Sequence, residues 1–142
     1  MSGPTMILIT SKATAQGGRV DGNVAFEEGR LYIHMEHAKG LGGSGEGANP
    51  EQLFALGSAS CFNSALPFIA AQQKVDAAKA KVSCEVGMGR NDAGGFALAA
   101  TRRVHVLSVG QPTAQVLVKA GHQVCPYANA TRGNVPVTLV VQ

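Results

Sequence analysis

The stretch NPEQLFALGSASCF, residues 49–62, opens as a helix and carries a cysteine into an apolar run. Asn49 suits an N-cap, Pro50 the first helical position, and Gln52 completes a capping-box pattern. Apolar residues then continue from Leu53 to Ala71 on nearly every helical face, which predicts a helix buried all round. Pro67 cannot donate a backbone hydrogen bond and is expected to kink it, and the helix is expected to end near Lys74.

Outward from this helix, residues 6–16 (MILITSKATAQ) and 31–36 (LYIHME) carry the β-branched and apolar residues of strands. Gly17-Gly18 and Asp21-Gly22 punctuate the interval, so the N-terminal third is expected to be an antiparallel meander. A flexible glycine-rich loop, KGLGGSGEG at 39–47, leads into the helix. Residues 80–90 and 96–107 alternate with period 2 around NDAGG, the pattern of a long hairpin. Residues 113–124 read as a second helix and 135–141 as a closing strand. Strands grouped in blocks between helices indicate an α+β fold in a single domain, residues 1–142.

Composition narrows the function classes. With 12 basic and 9 acidic residues the net charge is only +3, and Arg102-Arg103 is the sole adjacent basic pair, too little for a nucleic-acid footprint. The chain has no Trp and seven other aromatics, which argues against a base-stacking surface. No run approaches 18 consecutive apolar residues and the N-terminus lacks a signal-peptide pattern, so a cytoplasmic protein is expected. Three cysteines, Cys61, Cys84 and Cys125, contain no CxxC pair and leave one over, which disfavours a structural disulfide framework.

Several motifs lose weight on inspection. GLGGSG at 40–45 formally matches GxGxxG, yet the helix begins later and the required acid is missing, so no nucleotide site is expected. His34 and Glu36 share a strand face that His37 opposes, and zinc-type spacing is absent, so no metal is expected. His122 lies three residues before Cys125 near a helix end, where it would favour the C-terminal dipole. For Cys61 three readings compete: buried hydrophobe, metal ligand or nucleophile. Its apolar neighbours and its distance from the helix start disfavour a thiolate. A reactive Cys61 therefore needs a cation supplied by tertiary structure.

NPEQLFALGSASCF together with HQVCPYANATRGN at 122–134, and GGR at 17–19, resemble the signature segments of the organic hydroperoxide resistance (Ohr) family within the OsmC-like superfamily. The likeness runs along nearly the whole chain. It implies an OsmC-like fold, antiparallel β-sheets packed around a long central buried helix, in an intertwined homodimer. It further implies a thiol peroxidase without cofactor, metal or haem, acting on alkyl or fatty-acid hydroperoxides. In that family Cys61 corresponds to the peroxidatic cysteine, Cys125 to the resolving cysteine, and Arg19 with Glu51 to the polar pair serving the thiolate. Dihydrolipoamide or a lipoylated protein is the implied dithiol reductant.

Cys84 matches no catalytic position of the family and is read as an ordinary strand residue. Ala48 stands where the family usually has threonine, Ser58 a tyrosine and Ser60 an alanine, and Val20 intervenes between Arg19 and Asp21. Ten residues separate Glu51 from Cys61, about 15 Å along a straight helix, so Glu51 is expected to serve the partner subunit's site. The rival expectations are a hydrogen-peroxide-preferring relative and a non-catalytic dimer that binds hydrophobic ligands or senses oxidation.

Overall fold

The computed structural model describes residues 3–77 and 79–142. These fall into two compact units, residues 1–49 and 50–142.

The first unit holds β1 (Ala13–Gln16), the single turn α1 (Gly18–Asp21), β2 (Gly22–Phe26) and β3 (Tyr32–Met35). The three strands form an antiparallel sheet in chain order, as the meander reading expects. Gly17 and Gly18 take φ of 79° and 68°, values open to glycine but costly for residues with a Cβ, and so begin α1 tightly after β1. The strand expected over 6–16 forms only at 13–16. Met6, Ile7, Leu8 and Ile9 are 66 to 84% exposed, because β2 offers partners only to residues 13–16. The glycine-rich segment is tied within and just beyond itself: Ser44 Oγ donates to the Glu36 carboxylate, and Ala48 pairs with Met35 as a β-bridge.

The second unit contains α2 (Pro50–Gln73), β4 (Ala80–Arg90), β5 (Phe96–Val106), α3 (Gln111–Val124), α4 (Pro126–Thr131) and β6 (Val137–Val141). Helix α2 starts at the proline expected to start it and runs unbroken through Pro67. It stops where Lys74 turns left-handed at φ 56°. The β4–β5 hairpin pairs all eleven residues of each strand, from Ala80 with Val106 to Arg90 with Phe96. β6 joins β5 in parallel, which departs from an all-antiparallel expectation. The reason is topological: two helices carry the chain back across the sheet before β6 begins, and such a crossover is what parallel pairing requires.

Phe62, Leu66 and Ile69 of α2 meet Val104 and Val106 of β5 and Leu117 and Val118 of α3 in one core. The expectation of a helix buried all round is corrected. A stripe of Ser58, Phe62, Ala65, Leu66, Ile69 and Ala70 is buried, whereas Leu56 and Phe68 are 69% and 59% exposed. Within the second unit β4, β5, α3 and α4 pack on the buried stripe of α2, and none of these four covers its opposite apolar face among the described residues. By length and mean hydropathy, 1.4, α2 could cross a membrane, a property shared with core helices of its length.

Candidate functional site

Cys61 lies in the middle of α2, one residue before the fully buried Phe62. Cys125 comes from the junction of α3 and α4. It ends the first helix and precedes Pro126, and its φ of −65° and ψ of 121° are the extended geometry that a following proline favours. Proline at the first position of α4 then restarts the helix in a new direction. The turn points Cys125 into the core, where it has no exposed surface. Its Sγ donates to Cys61 Sγ across 3.5 Å, although 64 residues separate the two.

Helix α4 is held on α2 by an aromatic contact and a glycine. The Tyr127 and Phe54 rings lie 6.4 Å apart at a tilt of 49°. A Cβ on Gly57 would come within 3.0 Å of the Tyr127 hydroxyl, so a bare backbone at 57 permits this approach. The backbone N–H of Tyr127 thereby reaches the Cys61 sulfur. At the other side of the junction, Arg132 donates through Nη2 to the carbonyl of His122 and through Nη1 to Asn129 Oδ1 at 2.8 Å.

Arg102, which sequence reasoning did not single out as functional, lies beneath this site. It is fully buried on the inward face of β5, between Ala100 and Val104. Its Nε donates to Ser58 Oγ at 2.9 Å, and its guanidinium carbon stands 5.5 Å from the centre of the Phe62 ring. A signal for it was present: in a strand alternating with period 2, positions 100, 102, 104 and 106 share the inward face. An arginine among Ala, Val and Val is the anomaly there.

These neighbours pull the Cys61 thiol in opposite directions. Burial, reinforced by the adjacent Cys125 sulfur, pushes its pKa above the ordinary thiol value, while the Tyr127 N–H and the Arg102 charge favour the thiolate. His122 is pushed below its ordinary value by burial and by the charges of Arg132 and Arg102. It is therefore neutral at neutral pH, and the cation serving the end of α3 is Arg132 rather than His122, which corrects the expectation for His122.

The other expected site residues take definite places. Arg19 sits half-buried in α1 of the first unit, and Glu51 sits half-buried in the first turn of α2. Cys84 occupies the inward face of β4, directly across from Arg102 in the ladder. His34 Nε2 and Glu36 Oε1 lie 3.0 Å apart, a pair on one strand face as their spacing requires.

Comparison with known proteins gives consistent results. The family model described as OsmC-like protein matches residues 43–140. An organic hydroperoxide resistance protein of Xanthomonas axonopodis pv. citri (strain 306) is 41% identical over 143 residues, covering 99% of both chains. A crystal structure of an organic hydroperoxide resistance protein from Legionella pneumophila superposes with a TM-score of 0.91 at 40% identity. It covers 96% of this chain and 99% of that one. Another, a putative organic hydroperoxide resistance protein from Vibrio cholerae with captopril bound in one of its active sites, gives a TM-score of 0.91 at 42% identity. It covers 96% of this chain and 94% of its own.

Proposed function

Because this chain belongs to the organic hydroperoxide resistance proteins of the OsmC-like family, we propose that it is a cysteine-based peroxidase that reduces organic hydroperoxides to alcohols. The observation that carries the reading is the pair of sulfurs, Cys61 and Cys125, 3.5 Å apart and 64 residues distant in sequence. An S–S bond measures about 2.05 Å, so about 1.5 Å of closure joins them.

In this reading the Cys61 thiolate attacks the outer oxygen of the hydroperoxide, the O–O bond breaks, and the alkoxide leaves as alcohol after taking a proton. The sulfur, oxidised by two electrons, is now a sulfenic acid. The Cys125 thiol condenses with it, forming the disulfide and releasing water, before further oxidation can occur. A dithiol, in our reading dihydrolipoamide or a lipoylated protein, then exchanges with the disulfide, returning two thiols and leaving as its own disulfide. Such recycling suits a cytoplasmic setting, where thiols are kept reduced.

Arg19 is assigned to hold the thiolate and the departing alkoxide through its permanently charged fork, with Glu51 fixing that fork by a bidentate pair. We assign each site to two chains of a homodimer, working as one domain per chain. Arg19 and Glu51 come from one chain and both cysteines from the other. The uncovered apolar residues Met6 to Ile9, Leu56 and Phe68 support such an assembly. The apolar surroundings of Cys61, Phe62 and Leu66 among them, favour alkyl or fatty-acid substrates over hydrogen peroxide.

The test is consumption of cumene hydroperoxide and of hydrogen peroxide by wild type and Cys61→Ser, with dihydrolipoamide and then a thioredoxin system as reductant. Turnover by wild type with the organic substrate and dihydrolipoamide, lost in Cys61→Ser, is expected. Full activity of Cys61→Ser would overturn the assignment. Mixing Cys61→Ser with Glu51→Ala chains tests the shared site, since complementation requires residues from both subunits.

A further inference from the structure

The guanidinium of Arg102 is enclosed in the second unit with its charge incompletely answered. It has no exposed surface. Its Nε is bound by Ser58, but Nη1 and Nη2 have no hydrogen-bond partner among the described residues. Leaving such donors unpaired in a low-dielectric interior is costly, and a buried cation without an anion more so. Its position therefore calls for a negative charge close by.

Helix geometry places that charge. Ser58, which holds Arg102, stands three residues before Cys61 and four before Phe62, over whose ring the guanidinium lies. On an α-helix these two positions flank residue 58, about 60° to one side and about 40° to the other. Among the described residues, the ionisable groups placed near Arg102 include Cys61 from α2, Cys125 at the α3–α4 junction, His122 from α3 and Cys84 across the β4–β5 ladder. His122 lies beside a second cation, Arg132, and cannot become an anion under ordinary conditions. Of the thiols, Cys61 stands one helical turn from Ser58, the residue that holds Arg102, and is less buried than Cys125, while Cys84 Sγ lies 4.0 Å from the carbonyl of Glu85 and contacts it instead.

We propose that Arg102 is a positioning residue, a fixed buried counter-charge for the Cys61 thiolate supplied by the same chain. When Cys61 ionises, its proton leaves to solvent, and the negative sulfur answers the charge of the guanidinium. Ser58 orients the fork through Nε and leaves both Nη groups free for that role. The inference rests on Cys61 being the reacting sulfur, but its test is separable from peroxide turnover.

The test uses the full chain with Cys84→Ser and Cys125→Ser, so that Cys61 is the only thiol. Thiolate absorbance is followed against pH, together with the rate of alkylation by iodoacetamide. Arg102→Met is expected to move the titration upward and to slow alkylation at pH 7 about ten-fold, with a cooperative thermal transition retained. Arg102→Lys, which keeps the charge, is expected to recover most of the rate. If Arg102→Met does not fold cooperatively, Arg102→Gln, neutral but still able to bond Ser58, takes its place. An unchanged titration in the neutral variant, or a lysine variant as slow as the neutral one, would overturn the proposal. Activity in Cys61→Ser would instead refute the peroxidase assignment and leave this result standing.

Discussion

Replacing Ser58 by alanine removes the one hydrogen bond that the structure gives the Arg102 side chain among the described residues. Both residues have no exposed surface, so water cannot take the place of the hydroxyl without opening the core. A hydrogen bond to a charged group contributes about 1.5 to 3 kcal/mol. Alanine returns about 0.5 kcal/mol through its better helix propensity. The net expected loss is about 2 kcal/mol, or about 7 °C in Tm for a chain of this length. Arg102→Met should cost far less than breaking the pair from the serine side. A flexible apolar side chain fills the stem's volume, and the Ser58 hydroxyl can bond back to a carbonyl of its own helix. In the double variant the loss from Ser58→Ala should therefore vanish, a coupling of about 2 kcal/mol. Urea unfolding with reductant present, at one fixed protein concentration, measures all four species. A Ser58→Ala loss below about 0.5 kcal/mol, or simple additivity, would refute the claim that this bond anchors a buried charge.

Other consequences follow from single residues. Gly121→Ala would bring a Cβ to 3.3 Å from Leu66 Cδ2 and 3.6 Å from Phe62 Cζ. The leucine methyl can yield the few tenths of an ångström required, so the helix-propensity gain should win by about 0.5 kcal/mol in urea unfolding. Gly57→Ala should separate α4 from α2, because its Cβ would meet the Tyr127 ring and hydroxyl at 3.0 to 3.4 Å. Disulfide formation after peroxide treatment should slow several-fold. His122 is held below its ordinary pKa in the fold, so the unfolded chain binds its proton first. The stability linked to it is complete above the ordinary histidine value and falls as pH drops through and below that value. His122→Gln should flatten that part of the stability–pH curve measured by urea unfolding.

How much of this could be read in the sequence differs from element to element. The start of α2 was legible because Asn-Pro-Glu-Gln is local helix-start chemistry, and the β4–β5 hairpin because its alternation is long and its turn is glycine-rich. Helix α4 was not, since six residues of PYANAT carry no apolar period and hold their shape through tertiary packing, against Phe54 and Gly57 among others. The parallel seat of β6 depends on a crossover and has no local mark. The approach of Cys61 to Cys125 came from family likeness, because no spacing rule brings together residues 64 apart. That a reactive Cys61 would need a cation beside it was an expectation its apolar neighbours raised. Arg102 could have been suspected from its inward register in β5, but its tie to Ser58 is a tertiary contact that only the fold displays.

The most direct test of the account is to treat the fully reduced protein with one equivalent of an organic hydroperoxide and map its disulfides by mass spectrometry without reduction. A linkage between the peptides of Cys61 and Cys125 is predicted, with Cys84 remaining a thiol and one alcohol formed per disulfide. Peroxide consumed without that linkage, or a linkage through Cys84, would contradict it.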